Sequence, residues 1–228
     1  MTSAGTSPVH LRDFKSVLIV KPSSLGDIVH TLPSVRLIKR AHPHLKVRWI
    51  ANSEWMPLID GCPSVDEVIE FPRRQFRGVT GLTRSLVWSA GWNRTVRETP
   101  ELVLDFQGLL RSGWISFARG SDLVVGMSDS REGASRFYDH MVQVDAGRHA
   151  VDRYLEVVRA LGVSFQDADV AFDLPQGSAP SGFDASQPFL LLHPFSRGAG
   201  KALAPEVLQT LCDCLTSVRI VMVGKADP

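Results

Sequence analysis

The stretch Ser16-Val-Leu-Ile-Val20, followed by Lys21-Pro-Ser-Ser-Leu-Gly-Asp-Ile-Val-His-Thr-Leu-Pro33, decides the fold. After its serine the first run is apolar without a break and rich in β-branched side chains, the pattern of a strand buried on both faces of a parallel sheet. Residues 21–26 form a turn-rich loop. Beyond it Ile28, Leu32, Val35 and Ile38 recur at helical spacing, which predicts a helix over residues 27–40 with Pro33 placed to kink it and His42-Pro43 to end it. Strand, short loop and helix in that order set the loop beyond the carboxyl end of a strand, where open α/β sheets bind ligands. Lys21, Ser23, Ser24, Gly26 and Asp27 all fall there. The dinucleotide fingerprint G-x-G-x-x-G is absent, and Gly26 offers a backbone freedom other residues lack. Two readings of the segment stand side by side: Ser24 or Asp27 caps the helix, or Asp27 is a working carboxylate in a ligand-binding loop.

Outward from this unit the same grammar repeats. Residues 47–51 read as a strand, 54–60 as a short helix, 67–71 as a strand and 79–98 as a helix. A strand at 102–105, a helix at 109–119, short strands at 123–125 and 141–144, and a helix at 149–161 follow. The alternation predicts an α/β fold: a Rossmann-like parallel sheet with helices on both faces over residues 16–174, after a disordered tail at 1–15. Residues 175–187, rich in proline, glycine and serine, read as a linker. A buried strand at 189–193, a glycine-rich loop, a helix at 205–215 and a strand at 218–223 then begin a second unit over 188–228. One strand–helix–strand cannot cover both faces of a parallel sheet, so this unit reads as the truncated start of a second domain.

The 228 residues are 44% hydrophobic and 21% charged with a net charge of +1, which excludes disordered and collagenous classes and argues against a whole-surface grip on nucleic acid. No RNP, KH or helix-turn-helix pattern appears, so no nucleic-acid partner is expected. No apolar run approaches the ~20 residues that span a bilayer, and the first residues lack the basic-then-apolar pattern of a secretory leader. Cys62, Cys212 and Cys214 make no zinc array. A reducing, cytoplasmic setting is expected. Arg73, Arg74 and Arg77, interleaved with Phe71 and Phe76 and extended by Arg84, Arg94 and Arg97, form a basic cluster. It is either a solvated face or a docking surface for anionic lipid headgroups. Phe76, Trp88 and Trp92 belong either to such an interface or to the core.

The loop sequence also carries a resemblance. Residues 21–33 read K-x-S-S-x-G-D and then H-T-L-P, which resembles the N-terminal signature of the bacterial heptosyltransferases, glycosyltransferase family 9. Asp105-Phe-Gln-Gly-Leu-Leu-Arg-Ser112 resembles the family's D-x-Q-G-x-x-(K/R)-S segment, and His149-Ala-Val-Asp-Arg153 its H-A-V-x-R segment. His193-Pro-Phe-Ser-Arg-Gly-Ala-Gly-Lys201 resembles the loop opening its second domain. The pattern departs at Leu203-Ala-Pro205, where the family often has x-Trp-Pro, and the family's D-T-G-x-x-H block is absent. The resemblance implies a GT-B arrangement of two Rossmann-like domains. It implies an inverting, metal-independent transfer of heptose from ADP-L-glycero-D-manno-heptose or a similar nucleotide sugar, with no cofactor, to the Kdo/lipid A inner core of lipopolysaccharide. Asp27 takes the place of the general base. Ser23, Ser24, Gly26, Arg111, His149 and Arg153, with Arg73 and Arg74, fall on the acceptor side, and Ser196 and Lys201 at the donor diphosphate. The expected station is the inner leaflet of the cytoplasmic membrane, by peripheral contact. The alternative is a truncated, inactive acceptor-binding or vestigial module.

Overall fold

Every side chain of strand β1 (Ser16–Val20) is buried, and the computed structural model shows why. It describes residues 9–73, 84, 88, 91, 98–195 and 202–224. β1 lies between β2 (Lys46–Asn52) and β4 (Glu101–Asp105), with β3 (Glu67–Phe71) outside β2 and β5 (Leu123–Met127) and β6 (His140–Val142) beyond β4. All five pairings are parallel, and Val20 is in register with both Ile50 and Asp105. The order β3-β2-β1-β4-β5-β6 reverses direction between β1 and β4. At such a reversal the loops leaving the two strands diverge and open a crevice.

The two faces of the sheet are covered by different helices. Val17 and Ile19 point to a core shared with Ile28, Leu32 and Val35 of α1 (Leu25–Ala41) and with Tyr154, Leu155 and Val158 of α4 (Ala150–Ala160). Leu18 and Val20 point the other way, to Ile115 of α3 (Leu110–Ala118) and to Phe71. Helix α1 runs continuously through Pro33, which is buried within it, and His42 closes it, as expected, with an N–H to the Ile38 carbonyl. The expected helix at 54–60 is a 3₁₀ turn (Ser53–Trp55) running into α2 (Met56–Ile59). Within the expected tail, a 3₁₀ turn at Leu11–Asp13 buries Leu11 in the core, because Lys15 N–H pairs with the Pro100 carbonyl and pins the segment beside β4.

The chain divides into two compact units, Met1–Gln176 and Gly177–Pro228. The second holds β7 (Leu190–Leu192) parallel to β8 (Ile220–Met222), with α5 (Pro205–Cys214) between them. The strand expected to be buried at 189–193 is exposed: Leu191 is 57% accessible. No residue of α5 is buried, so among the described residues of this unit nothing encloses the two-stranded sheet. Most of the helix expected at 79–98 lies outside the described residues, although Arg84, Trp88 and Gly91 are helical. Trp88 is half-buried and meets the Phe71 ring edge-on at 5.4 Å, a core position.

Candidate active site

The loop after β1 is held from both sides. Trp49 Nε1 donates to the Lys21 carbonyl (3.0 Å), and the Lys21 ammonium, 3% exposed, donates to the Phe106 carbonyl (2.8 Å) and to Tyr154 Oη (2.9 Å). A buried ammonium with two neutral acceptors is poorly solvated, and burial pushes its pKa down to about 8 against the opposing charges of Asp27 and Asp105. Ser24 is the N-cap residue of α1, and both its N–H (3.1 Å) and its hydroxyl (2.8 Å) donate to Asp27 Oδ2. Partial burial raises the Asp27 pKa. The Ser24 N–H, the Lys21 charge and the Ser24 hydroxyl outweigh it, and the net value lies below the ordinary one. Oδ2 therefore holds the helix start, as the capping reading expects, while the side chain also lines a cavity.

That cavity has a volume of about 360 Å³ and lies at the β1/β4 reversal. Asp27 and Lys21 line it from the first loop, Gln107 and Gly108 from the loop after β4, Asp129 and Arg131 from the loop after β5, and Arg153 and Tyr154 from α4. Arg153 is paired with Asp129, and its Nε is buried with no partner. A second cavity of about 220 Å³ shares Gln107 with the first and is lined by Ser23, Asn52, Arg73, Arg111 and Glu132. The acceptor-side residues expected from sequence thus divide: Arg153 joins Asp27, whereas Ser23, Arg73 and Arg111 form the neighbouring cavity. Ser23 N–H donates to Gln107 Oε1 (3.3 Å), between the two.

His149 lines neither cavity. It caps α4, its Nδ1 accepting from Val151 N–H (3.3 Å), and its ring meets His30 of α1 edge-on at 4.9 Å. Gly26 sits in the first turn of α1 with no positive φ, so the backbone freedom expected of it is not used; nothing lies within 4 Å of where a Cβ would stand. Arg74, Ser196 and Lys201 lie outside the described residues.

Asp105 anchors the loop between the cavities. It is 1% exposed and accepts from Gln107 N–H, Gly108 N–H, the Ser112 hydroxyl and the Tyr138 hydroxyl, all at 2.8–3.1 Å. Burial holds its pKa above the ordinary value despite those donors. Gly108 has φ +67°, a conformation that favours glycine and lets two successive N–H groups turn onto one carboxylate oxygen.

Sequence reasoning did not single out Tyr154, Asp129 or Asn52, and Gln107 entered it only as part of the D-x-Q-G segment. Asn52 ends the buried run of β2 at the same sheet edge as Lys21 and Asp105, a placement readable from the strand pattern alone. It is 4% exposed and neither atom of its amide has a partner. Among the described residues no three His, Cys, Asp or Glu side chains converge as a metal site.

Residues 92–210, more than half of the chain, match the family model of glycosyltransferase family 9 (heptosyltransferase). Lipopolysaccharide heptosyltransferase 1 of Pseudomonas aeruginosa is 34% identical over 175 residues, covering 75% of this chain and 47% of the relative. The enzyme of that name from Escherichia coli K12 is 29% identical over 153 residues, covering 65% and 48%. The chain spans about half the length of these curated relatives. Among solved structures, E. coli heptosyltransferase WaaC with ADP-2-deoxy-2-fluoro heptose superposes with a TM-score of 0.73 at 23% identity, over 92% of this chain and 69% of that one. A family 9 glycosyl transferase from Veillonella parvula gives 0.74 at 18% identity, over 96% and 64%. These likenesses give the fold: a GT-B-type α/β architecture, here a Rossmann-like sheet domain followed by a second strand–helix–strand unit. The chain belongs to glycosyltransferase family 9, the heptosyltransferase family.

Proposed function

We propose that this chain carries the acceptor-side half of an inverting transferase that moves a heptose from an ADP-sugar to the inner core of lipopolysaccharide. The reading rests on one observation above all: a carboxylate fixed through Oδ2 by Ser24 and facing a polar cavity at the sheet's reversal point, in a chain whose relatives are heptosyltransferases. In the proposed reaction Asp27 is ionised at neutral pH and takes the proton of the attacking sugar hydroxyl. That oxygen bonds the anomeric carbon from the face opposite the leaving group. The carbon–oxygen bond to the diphosphate breaks, and ADP departs with the electron pair. A carboxylate with a depressed pKa is a weak base, so it serves best when the proton moves late. Its negative charge meanwhile stabilises the oxocarbenium-like centre. Arg153 on one side and Arg73 and Arg111 on the other are suited to the acceptor's carboxylates and phosphates, since a guanidinium binds both bidentately.

Ser196 and Lys201 are proposed to neutralise the donor diphosphate, and the transfer is proposed to need no metal. The place of action is proposed as the inner leaflet of the cytoplasmic membrane, by peripheral contact; among the described residues no helix is long and apolar enough to cross one. The alternative reading is an acceptor-binding module without turnover.

Incubation of the chain with ADP-heptose and a Kdo-lipid A acceptor tests both. Heptose transfer that falls on the order of 10²–10⁴-fold in Asp27→Asn, with the circular dichroism spectrum unchanged, is expected for the transferase. Acceptor binding without transfer is expected for the module. Wild-type transfer by Asp27→Asn would overturn the base assignment.

A further inference from the structure

Helix α3 has two faces with different tasks. Its inner side is fixed: Ile115 lies in the core and Ser112 bonds Asp105 (2.8 Å). Its outer side carries Leu110, Trp114 and Phe117, at i, i+4 and i+7 on one stripe, and they are 45%, 41% and 58% exposed. Phe137, from the 3₁₀ turn Ala134–Phe137, closes a triangle of rings whose centroids lie 5.8–6.0 Å apart. Gly113 makes the approach possible, since a Cβ there would stand 2.8 Å from the Phe137 ring. This rigid aromatic ridge in water is not explained by the core or by either cavity.

We propose that this ridge is a docking surface for an anionic lipid bilayer. Arg111, beside Leu110, and Arg136, beside Phe137, are exposed and form no ion pair among the described residues. Glu132, whose carboxylate accepts from Leu110 N–H (3.3 Å), is the acid at the helix start. Rings that prefer the headgroup boundary, rimmed by unpaired arginines, match a surface of apolar chains beneath phosphates. A second copy of the chain fits less well, because a two-fold pairing would set the same unpaired arginines against each other. The inference rests on the reading above that the acceptor is a glycolipid. Arg111 and Ser112 of the same helix line the 220 Å³ cavity, so docking through α3 brings an acceptor-side cavity toward the surface that bears the acceptor.

Co-sedimentation of the full chain with vesicles of phosphatidylglycerol and phosphatidylethanolamine, against phosphatidylcholine alone, tests it without acceptor or donor. Binding to the anionic vesicles is expected, weakened at least about tenfold in Trp114→Ala/Phe117→Ala and about fivefold in Arg136→Glu, with the thermal midpoint of each variant measured beside it. Absent binding, or binding equal in the ridge variant, overturns the proposal. So does a dimer in sedimentation equilibrium that the ridge variant abolishes, which would assign the face to a second copy. Because the vesicles hold no acceptor, loss of binding leaves the transferase reading standing. Failed transfer by a chain that still binds vesicles counts against that reading alone.

Discussion

Asp27 and Lys21 are one electrostatic unit, and the unit sets how the site responds to pH. The ammonium is one of the charges holding the carboxylate below its ordinary pKa, and burial has already brought the ammonium to about 8. As pH rises through about 8 the cavity that Lys21 lines loses this positive charge and becomes less favourable to an anionic acceptor, so kcat/KM for transfer is expected to show an alkaline limb there. In Lys21→Arg, which stays charged, the limb should move beyond the measurable range; an unmoved limb would break the link. The stability signs follow from the same shifts. Lys21 binds its proton less tightly folded than unfolded, so its penalty is full below about 8 and is relieved as pH rises toward the ordinary 10.5. Asp27, shifted down, stabilises above the ordinary 3.8, and that contribution is lost as pH falls through its folded value. Asn52 is the other residue with a prediction of its own. Its buried amide has no partner, which penalises the empty fold and favours a ligand that satisfies it. Asn52→Leu is expected to raise the thermal midpoint while weakening acceptor affinity by roughly tenfold, about 1.4 kcal/mol. Calorimetry and acceptor KM read the two effects separately.

At the scale of elements, the site depends on close approaches that small residues permit. Tyr138 lies across β5 at Gly126, where a Cβ would fall 2.1 Å from the ring, and only in that position does its hydroxyl reach Asp105 (2.8 Å). Gly126→Ala is expected to expel the ring, remove one of the four donors from a fully buried carboxylate, and destabilise by about 3 kcal/mol. Combining it with Tyr138→Ala should cost less than the sum of the two, because the clash is gone; urea midpoints of the three variants measure it. The glycine was visible in the sequence. Its neighbour was not, because Gly126 and Tyr138 meet only after β5 and the following turn pack together. Helix α3 shows the same division: a helix at 109–119 was readable from the sequence, while its outward rings became a ridge through Phe137, from a separate turn.

Across the whole first unit, the carboxyl ends of the strands carry the cavities and the opposite ends carry an ionic lock. Glu101, at the start of β4, is fully buried and accepts from Arg119 Nε (2.7 Å) and Arg48 Nη1 (3.3 Å), both buried. Glu101→Ala removes the buried carboxylate that Arg119 and Arg48 share, while Arg48 keeps its contact with Glu67 (3.4 Å), and is expected to lower stability by about 3 kcal/mol. It should leave acceptor affinity unchanged, since the lock and the site stand at opposite ends of the sheet. Chemical denaturation and acceptor titration of one preparation test both parts; a large loss of affinity would show the two ends to be coupled.

Periodicity and breakers were enough for the parallel sheet, the position of nearly every described strand and helix, and the placing of the loop after β1 at the carboxyl edge of the sheet. Those features follow from local rules: unbroken apolar runs, helical spacing, turn residues and a capped helix start. Pattern could not show that Ser24 spends both its donors on Asp27, that His149 is a cap beside His30, or that the expected acceptor residues divide between two cavities. Lys21 bonding to Tyr154, 133 positions away, and Asn52 lying buried without a partner are likewise products of packing. Strand order brings distant loops to one edge, and burial there decides which polar groups are satisfied and which are left for a ligand.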